Sequence, residues 1–532
     1  MQSVTTMTRM SQRISAAHRL AALLVLPALL LVAGCDSNGG NGGDPPPPPP
    51  PFSVAAYDTS GSEITVSDVE EGGIGYVDAD GNDVNEITWT NDFTYKLDGF
   101  VFVDDGQTLN IEPGTVIKGL PGSGEDASAL IVTRGGQIFA DGNPGSDNPD
   151  NADPIIFTAD ADNGNGLGRD VRGEWGGVIL LGDANLNSTP GETNIEGVPG
   201  DDRTLYGGSN DDHNVGVFRF VSIRHTGTQL GNGDEIQGLT IGGVGNGSTI
   251  EYVESYASDD DGFEWFGGTV NTKYMIAAWA ADDSFDMDEG YRGSNQFWLA
   301  VQATDAGGRI AEQDGGTDPE DGQPFATVKV ANATYIGIGP GVEGVDGDGN
   351  DPFIVHRDNN ATSYYNSVFM DARLNEGLQI EDLGSGEDSR ERWLANELRY
   401  ENNLWWNIGP DYDPANTAFE DIIQLTTDDD GNLAGDGGEA FRTSLADYLR
   451  TQDNQLLDAS PITSIDRSSS GAINSFDPRA AGAANATPPN PSTFGDVGGV
   501  NSNYSPASFY GAFGSDNWAR GWTLLSQTGE LQ

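Results

Sequence analysis

From about Asp92 the chain is a succession of short apolar runs cut by Gly, Asn and Asp. Examples are Phe100–Val103, Leu109–Ile111, Ala129–Val132, Gln137–Phe139 and Pro154–Phe157. Unbroken apolar runs of this length predict strands buried on both faces, or coils stacked into a solenoid. No helical period of 10–15 residues separates them, which argues against a doubly wound α/β fold. Further on the repeat is measurable. Ile250-Glu251-Tyr252-Val253 matches Thr272-Lys273-Tyr274-Met275 at an offset of 22, and Phe297 follows Tyr274 by 23 residues. At the same offset of 22, Asp260-Asp261-Gly262-Phe263-Glu264 matches Asp282-Asp283-Ser284-Phe285-Asp286. Matching strands and corners at this period are the signature of a solenoid. Strand runs at 326–330, 363–370 and 398–406 recur at longer intervals, so loops are inserted between later coils. Phe441, Leu445, Tyr448 and Leu449 fall on one stripe of a short helix. The aromatic C-terminus, with Trp518 and Trp522, is expected to cap the last coil, whose open edge is an aggregation hazard.

The first residues do not follow this pattern. Arg9, Arg13 and Arg19 precede an apolar run from Leu20 to Val32, too short for a membrane-spanning helix of about 20 residues. The run ends in Val32-Ala33-Gly34-Cys35, which resembles the lipobox of bacterial lipoproteins, so lipidation of Cys35 is expected. Cys35 is the only cysteine, and no internal disulfide can form. A Gly/Asn/Asp-rich stretch and seven consecutive prolines, Pro45 to Pro51, follow. Such a run is a stiff spacer of about 3.1 Å per residue. The expected product is an exported lipoprotein held at the outer membrane or cell surface, with the membrane as a partner through its lipid.

Charge narrows the partners. The formal net charge is −58, with only four lysines, at 96, 118, 273 and 329. With no basic stripe to meet phosphates, nucleic acid is excluded as a partner. Self-repulsion at this charge is relieved by salt, and the composition resembles that of proteins from extreme halophiles. Dense binding of divalent cations is the other way to relieve it.

Several segments carry a family resemblance: FTYKLDGFVFVDDGQTLNIEPGTVIKG, ALIVTRGGQIFADG, WGGVILL, FRFVSIRHTGT, LTIGGVGNGSTIEYVESYASDDDGFEWFGGTVNTKY, DDSFDMDEGYRG and the aromatic close around Trp518 and Trp522. From about Asp83 onward the chain resembles a family of exported proteins from the Bacteroidetes and their relatives, whose biochemical function is unassigned. The resemblance implies a right-handed parallel β-helix. The expected fold class is therefore all-β: a right-handed parallel β-helix with irregular loops, one short C-terminal helix and an aromatic C-terminal cap. The expected organisation is a signal peptide at 1–34, a flexible and polyproline linker at 35–58, an N-terminal cap region at 59–91, the β-helix at 92–410, and loops, helix and cap at 411–532.

The repeated acidic corner is the strongest chemical signal. Asp259, Asp260, Asp261 and Glu264 sit on one coil; Asp282, Asp283, Asp286, Asp288 and Glu289 sit on the next. Coils stack about 4.8 Å apart, and like charges that close bind a cation or hold a proton. Three readings follow. Asp260, Asp261, Asp282, Asp283, Asp286 and Asp288 suit Ca²⁺, which takes many hard oxygen ligands. Alternatively, Asp260, Asp261, Asp282 and Asp283, with His225 as acid or charge clamp, form the catalytic set of a polysaccharide lyase or glycoside hydrolase; a separation of about 5 Å is that of retaining glycosidases. Third, the corner is a solvated edge, and His225 is structural. Asp428, Asp430, Asn432, Asp436 and Glu439 occupy positions 1, 3, 5, 9 and 12 of a loop like that of an EF-hand, with Leu433 in place of the turn glycine. Asp78–Asp83 and Asp346–Asp351 are shorter runs of the same kind, or Asx turns. Phe263, Trp265, Phe266, Trp279, Phe285, Tyr291 and Trp298 either stack on sugars or fill the coil interior. No HExxH, G-x-S-x-G or phosphate-binding glycine loop occurs. The expected role is binding or structural, toward a polysaccharide or another surface protein, with bound Ca²⁺ and no organic cofactor; the alternative is the polysaccharide-cleaving enzyme.

Overall fold

The computed structural model describes residues 57–532 apart from 69–71, 79, 199–201, 232–233, 318, 343–351, 384–387, 427–437 and 492–502. The strands stack into a three-faced parallel β-helix. The first face is a ladder of ten parallel strands, from Phe100–Val103 through Phe263–Phe266 and Phe285–Asp288 to Ile423–Leu425. The second runs from Glu86–Trp89 to Tyr400–Glu401 and the third from Glu63–Val66 to Gln455–Leu456. Each coil visits the three faces in that order. The ladders thus reach past both ends of the expected 92–410 span. The early strands carry no unbroken apolar run, because their buried positions alternate with exposed polar ones, as in Glu86–Trp89.

Strands Gly216–Arg224, Thr249–Tyr256 and Thr272–Ala278 each cover two faces. They bend at Phe220, Tyr252 and Tyr274, whose φ angles are 49°, 55° and 59°. Phe297 continues the row at 62°. A bulky residue in the left-handed region costs about 1–2 kcal/mol. Stacking offsets this: ring centroids lie 4.2 Å apart from Phe220 to Tyr252 and from Tyr252 to Tyr274, and 5.0 Å from Tyr274 to Phe297. In the following coils the same bend is taken by Asn332, Asn366 and Asn402, a residue type that tolerates positive φ.

The interior is one continuous core. Phe263, Trp265, Phe285, Met287 and Trp298 are all below 1% exposed, and Phe285 stacks on Trp298 at 4.4 Å. Of the seven aromatic residues near the corner none is exposed, so they are core and not a sugar platform.

The C-terminal parts sit differently from expectation. Helix α1 is Ser389–Leu394; helix α2, Gly438–Thr451, buries Phe441, Leu445 and Leu449 and packs on the last first-face strand. The helix therefore covers the end of the coil stack. The aromatic C-terminus lies instead along the flank of the bend. Trp518 meets Tyr274 edge-on at 5.2 Å and Trp522 meets Phe220 at 5.6 Å. There the fully buried Glu254 accepts hydrogen bonds from the N–H groups of Leu524 and Leu525, at 2.7 and 2.9 Å, at the start of helix α3, Leu524–Gln527. Ring edges left at the bend need apolar cover more than the end of the stack does, since α2 already covers that end. No helix of the described residues is long and apolar enough to cross a membrane.

Candidate acidic cation site

Each coil passes from the third face to the first through a turn. Ala257 and Trp279, with φ of 58° and 64°, redirect the chain into the successive turns that carry Asp259–Asp261 and Asp282–Asp283. The first-face strands then alternate. Phe263, Trp265, Phe285 and Met287 point into the core. Glu264 and Asp286 point outward in direct register, and Glu312 is next in the row. Sequence and register agree because one face of each strand is buried, and a slip of one residue would turn the carboxylates into the core.

The turns and the outward row converge on two overlapping triads. Oxygens of Asp260, Asp261 and Asp282 lie within 4.8 Å of one another, as do those of Asp261, Glu264 and Asp286. One oxygen of Asp261 accepts the Asp283 N–H at 2.8 Å, and Asp260 accepts from the Gln237 amide at 3.3 Å. Glu264 Oε2 and Asp286 Oδ1 are buried and have no hydrogen-bond partner. Buried carboxylate oxygens are ordinarily satisfied, so these two invite a ligand. Burial and then neighbouring carboxylates push the acids up: Asp260, beside Asp282, to about 8 and Asp286, beside Asp288, to about 7. Asp261, Glu264 and Asp283 are held well above the usual carboxylate range for the same reason, burial first. Hard carboxylate oxygens grouped this closely, on a triad of which Glu264 and Asp286 each also carry an unpartnered buried oxygen, suit a hard cation such as Ca²⁺ and not a soft metal.

The remaining candidates divide. Asp283 adjoins the triads but faces Arg309, whose backbone N–H it accepts and whose guanidinium lies 3.7 Å away. Asp288 accepts from the Glu289 N–H and the Thr317 hydroxyl, each at 2.6 Å, and lies outside both triads. Glu289 turns to Tyr206 and Ser188. His225 is fully buried; one ring nitrogen accepts the Leu167 N–H at 3.0 Å and the other donates to the Val171 carbonyl at 2.8 Å. Both nitrogens being committed to backbone, the ring braces a loop and has no free position for acid catalysis. Asp428, Asp430, Asn432 and Asp436 lie outside the described residues, as do Cys35 and Asp346–Asp351. Glu439 sits in the first turn of α2 and pairs with Arg442. Asp78 closes an Asx turn on the N–H groups of Asp80 and Asn82.

The row continues into residues that the sequence did not single out. Arg309 and Arg357 both bind Glu312, and Arg357 also holds Asp314 at 2.6 Å. Burial raises Asp358 to about 6 and Glu381 to about 7. The acidic face therefore spans several coils and carries arginines at its downstream end. Residues 81–400, more than half of the chain, match the family described as a pectate-lyase-like beta helix domain. The chain belongs to this family. No curated protein and no solved structure matches the chain. For a pectate-lyase-like β-helix the outward row of a parallel ladder is the natural place for chemistry, because neighbouring coils bring matching positions within a few ångströms. The fold alone assigns no reaction.

Proposed function

We propose that this protein is a surface-displayed lipoprotein, anchored through Cys35, that binds acidic glycans through Ca²⁺ held on the first face. Asp260, Asp261, Asp282, Glu264 and Asp286 would hold the ion, with Asp283 and Asp288 beside them. The observation that carries the reading is the pair of orphaned buried oxygens, Glu264 Oε2 and Asp286 Oδ1, on two residues of one carboxylate triad. A bare acidic face repels a uronate; a cation that keeps open positions attracts one. The pectate-lyase-like family and the lipobox-like Val32–Cys35 agree with a glycan-directed role outside the cytoplasm.

Calorimetric titration of the whole protein with CaCl₂ at matched ionic strength tests the ion. Binding is expected in the native sequence and not in a Glu264→Gln, Asp286→Asn double variant; no heat and no thermal shift in the native protein would sink the reading. An array of acidic polysaccharides, with and without chelator, tests the ligand. Incorporation of labelled fatty acid, lost in Cys35→Ser, tests the anchor.

A second reading, a polysaccharide lyase or glycoside hydrolase on the same carboxylates, is favoured by one observation. Arg309 and Arg357 place two guanidinium groups beside the acidic row; both pair with Glu312, and a substrate carboxylate would have to displace it to engage them. New reducing ends or unsaturated products after incubation with uronate polymers would establish it over simple binding.

A further inference from the structure

The bend between the second and third faces lies across the coil from the acidic face, and it carries a groove of its own. The groove has a volume of about 660 Å³, within the range of small-molecule sites. Its floor is the partly exposed edges of Tyr274 and Phe509, with Tyr252 and Phe297 buried beneath; the Phe509 ring lies 6.0 Å from that of Phe297. Trp518 closes one side. Its ring stacks on Phe513 at 4.6 Å, and its indole N–H donates to the Ala512 carbonyl at 2.8 Å. The other wall is the turn Asp147–Asp150. Arg219 braces that turn through the carbonyls of Asn143 and Ser146 and the carboxylate of Asp147. Ser505, Ser508, Ser515 and Asn517 line the rim, and an ion pair between Arg520 and Asp150 joins the two walls.

The lining selects a ligand by its chemistry. Ring edges of Tyr274 and Phe509, both partly exposed, under a rim of hydroxyl, amide and carboxylate groups, suit a ring that is apolar on its faces and hydroxylated at its edge. Both rim guanidiniums are already paired, Arg479 with Asp477 and Arg520 with Asp150. Neither is left to neutralise a phosphate or a uronate, and Asp516 on the exposed rim repels both. We infer that this groove binds one or two units of a neutral pyranose glycan. The site is separate from the acidic face and needs no cation, so it stands or falls independently of the calcium reading.

The test uses the full-length protein in chelator. Saturation-transfer NMR and tryptophan fluorescence are read against a panel of neutral gluco-, galacto- and manno-configured mono- to tetrasaccharides, with digalacturonate as the charged control. At least one neutral sugar is expected to bind, and digalacturonate at least about tenfold more weakly. Arg520→Ala and Asp516→Asn, both on the exposed rim, should each weaken binding about fivefold or more. Tyr274→Phe, which keeps the stack and removes a hydroxyl, should weaken it also. The Glu264→Gln, Asp286→Asn variant should bind as the native protein does. The proposal is overturned if no neutral sugar binds a protein with native circular dichroism, if all three groove variants bind unchanged, or if binding disappears with chelator or with the acidic-face variant.

Discussion

Two rows of this molecule repeat like side chains one coil apart, with opposite consequences. At the bend, Phe220, Tyr252, Tyr274 and Phe297 stack ring on ring. Each pair contributes about 0.5–1.5 kcal/mol beyond its burial, which offsets much of the left-handed backbone. On the first face, Glu264, Asp286 and Glu312 stand in the same kind of register. Two charges about 4.8 Å apart repel by about 3–4 kcal/mol at an effective dielectric near 20. A parallel coil multiplies whatever chemistry a position holds. Arg309 and Arg357 pair at the downstream end of the acidic row and reach Asp286 only through space; the orphaned oxygens upstream call for protons or a cation.

Acidity gives the largest expected effect on this comparison. Asp260 and Asp286 have folded pKa values near 8 and 7, against an ordinary value of 3.8. Between those limits these two groups hold more protons in the folded form than in the unfolded one, so their contribution to stability is full below about pH 4 and is lost as pH rises toward 8. In chelator the loss from the two groups together should be on the order of 10 kcal/mol, read as a falling melting temperature. Added Ca²⁺ should flatten the curve; a flat curve in chelator would mean that the row carries no strain. Breaking the favourable row comes next. Tyr252→Ala should cost about 3–5 kcal/mol in denaturant unfolding, whereas Tyr252→Phe should be nearly neutral. Relieving the unfavourable row has the opposite sign: at pH 8 in chelator Glu264→Gln should stabilise by about 1–2 kcal/mol, and with Ca²⁺ present the same variant should melt below the native protein. Smallest is Arg357→Gln, which frees Asp314 and leaves Glu312 to Arg309 alone. A loss of about 1 kcal/mol and a steeper metal-free pH curve are expected.

Much of this was legible in the sequence. The offset of 22 aligned Tyr252 with Tyr274 and Glu264 with Asp286; the first two stack ring on ring and the second two pair in the ladder. It was legible because those coils carry no insertions. Arg309, Glu312 and Arg357 were not, since longer loops between later coils break the period and remove the offset that would have placed them. Nor was the bend: left-handed aromatic residues contradict local preference, and only stacking between coils far apart in sequence sustains them. The aromatic C-terminus was misplaced for a related reason. Its rings signal burial but not the surface that they cover, and the ring edges of the bend appear only once the coils are stacked.

The bond between Glu254 and the N–H groups of Leu524 and Leu525 also sets a clock. A chain that emerges amino end first can stack its coils as they appear, because each contacts chiefly its neighbours. The partners of Glu254 arrive 270 and 271 residues later. Until then the ring edges face water and the carboxylate has no donor from the C-terminal segment. This flank is therefore the last part of the β-helix to mature, and the interval before residue 525 is delivered is when a chaperone or a protease would find the chain most open.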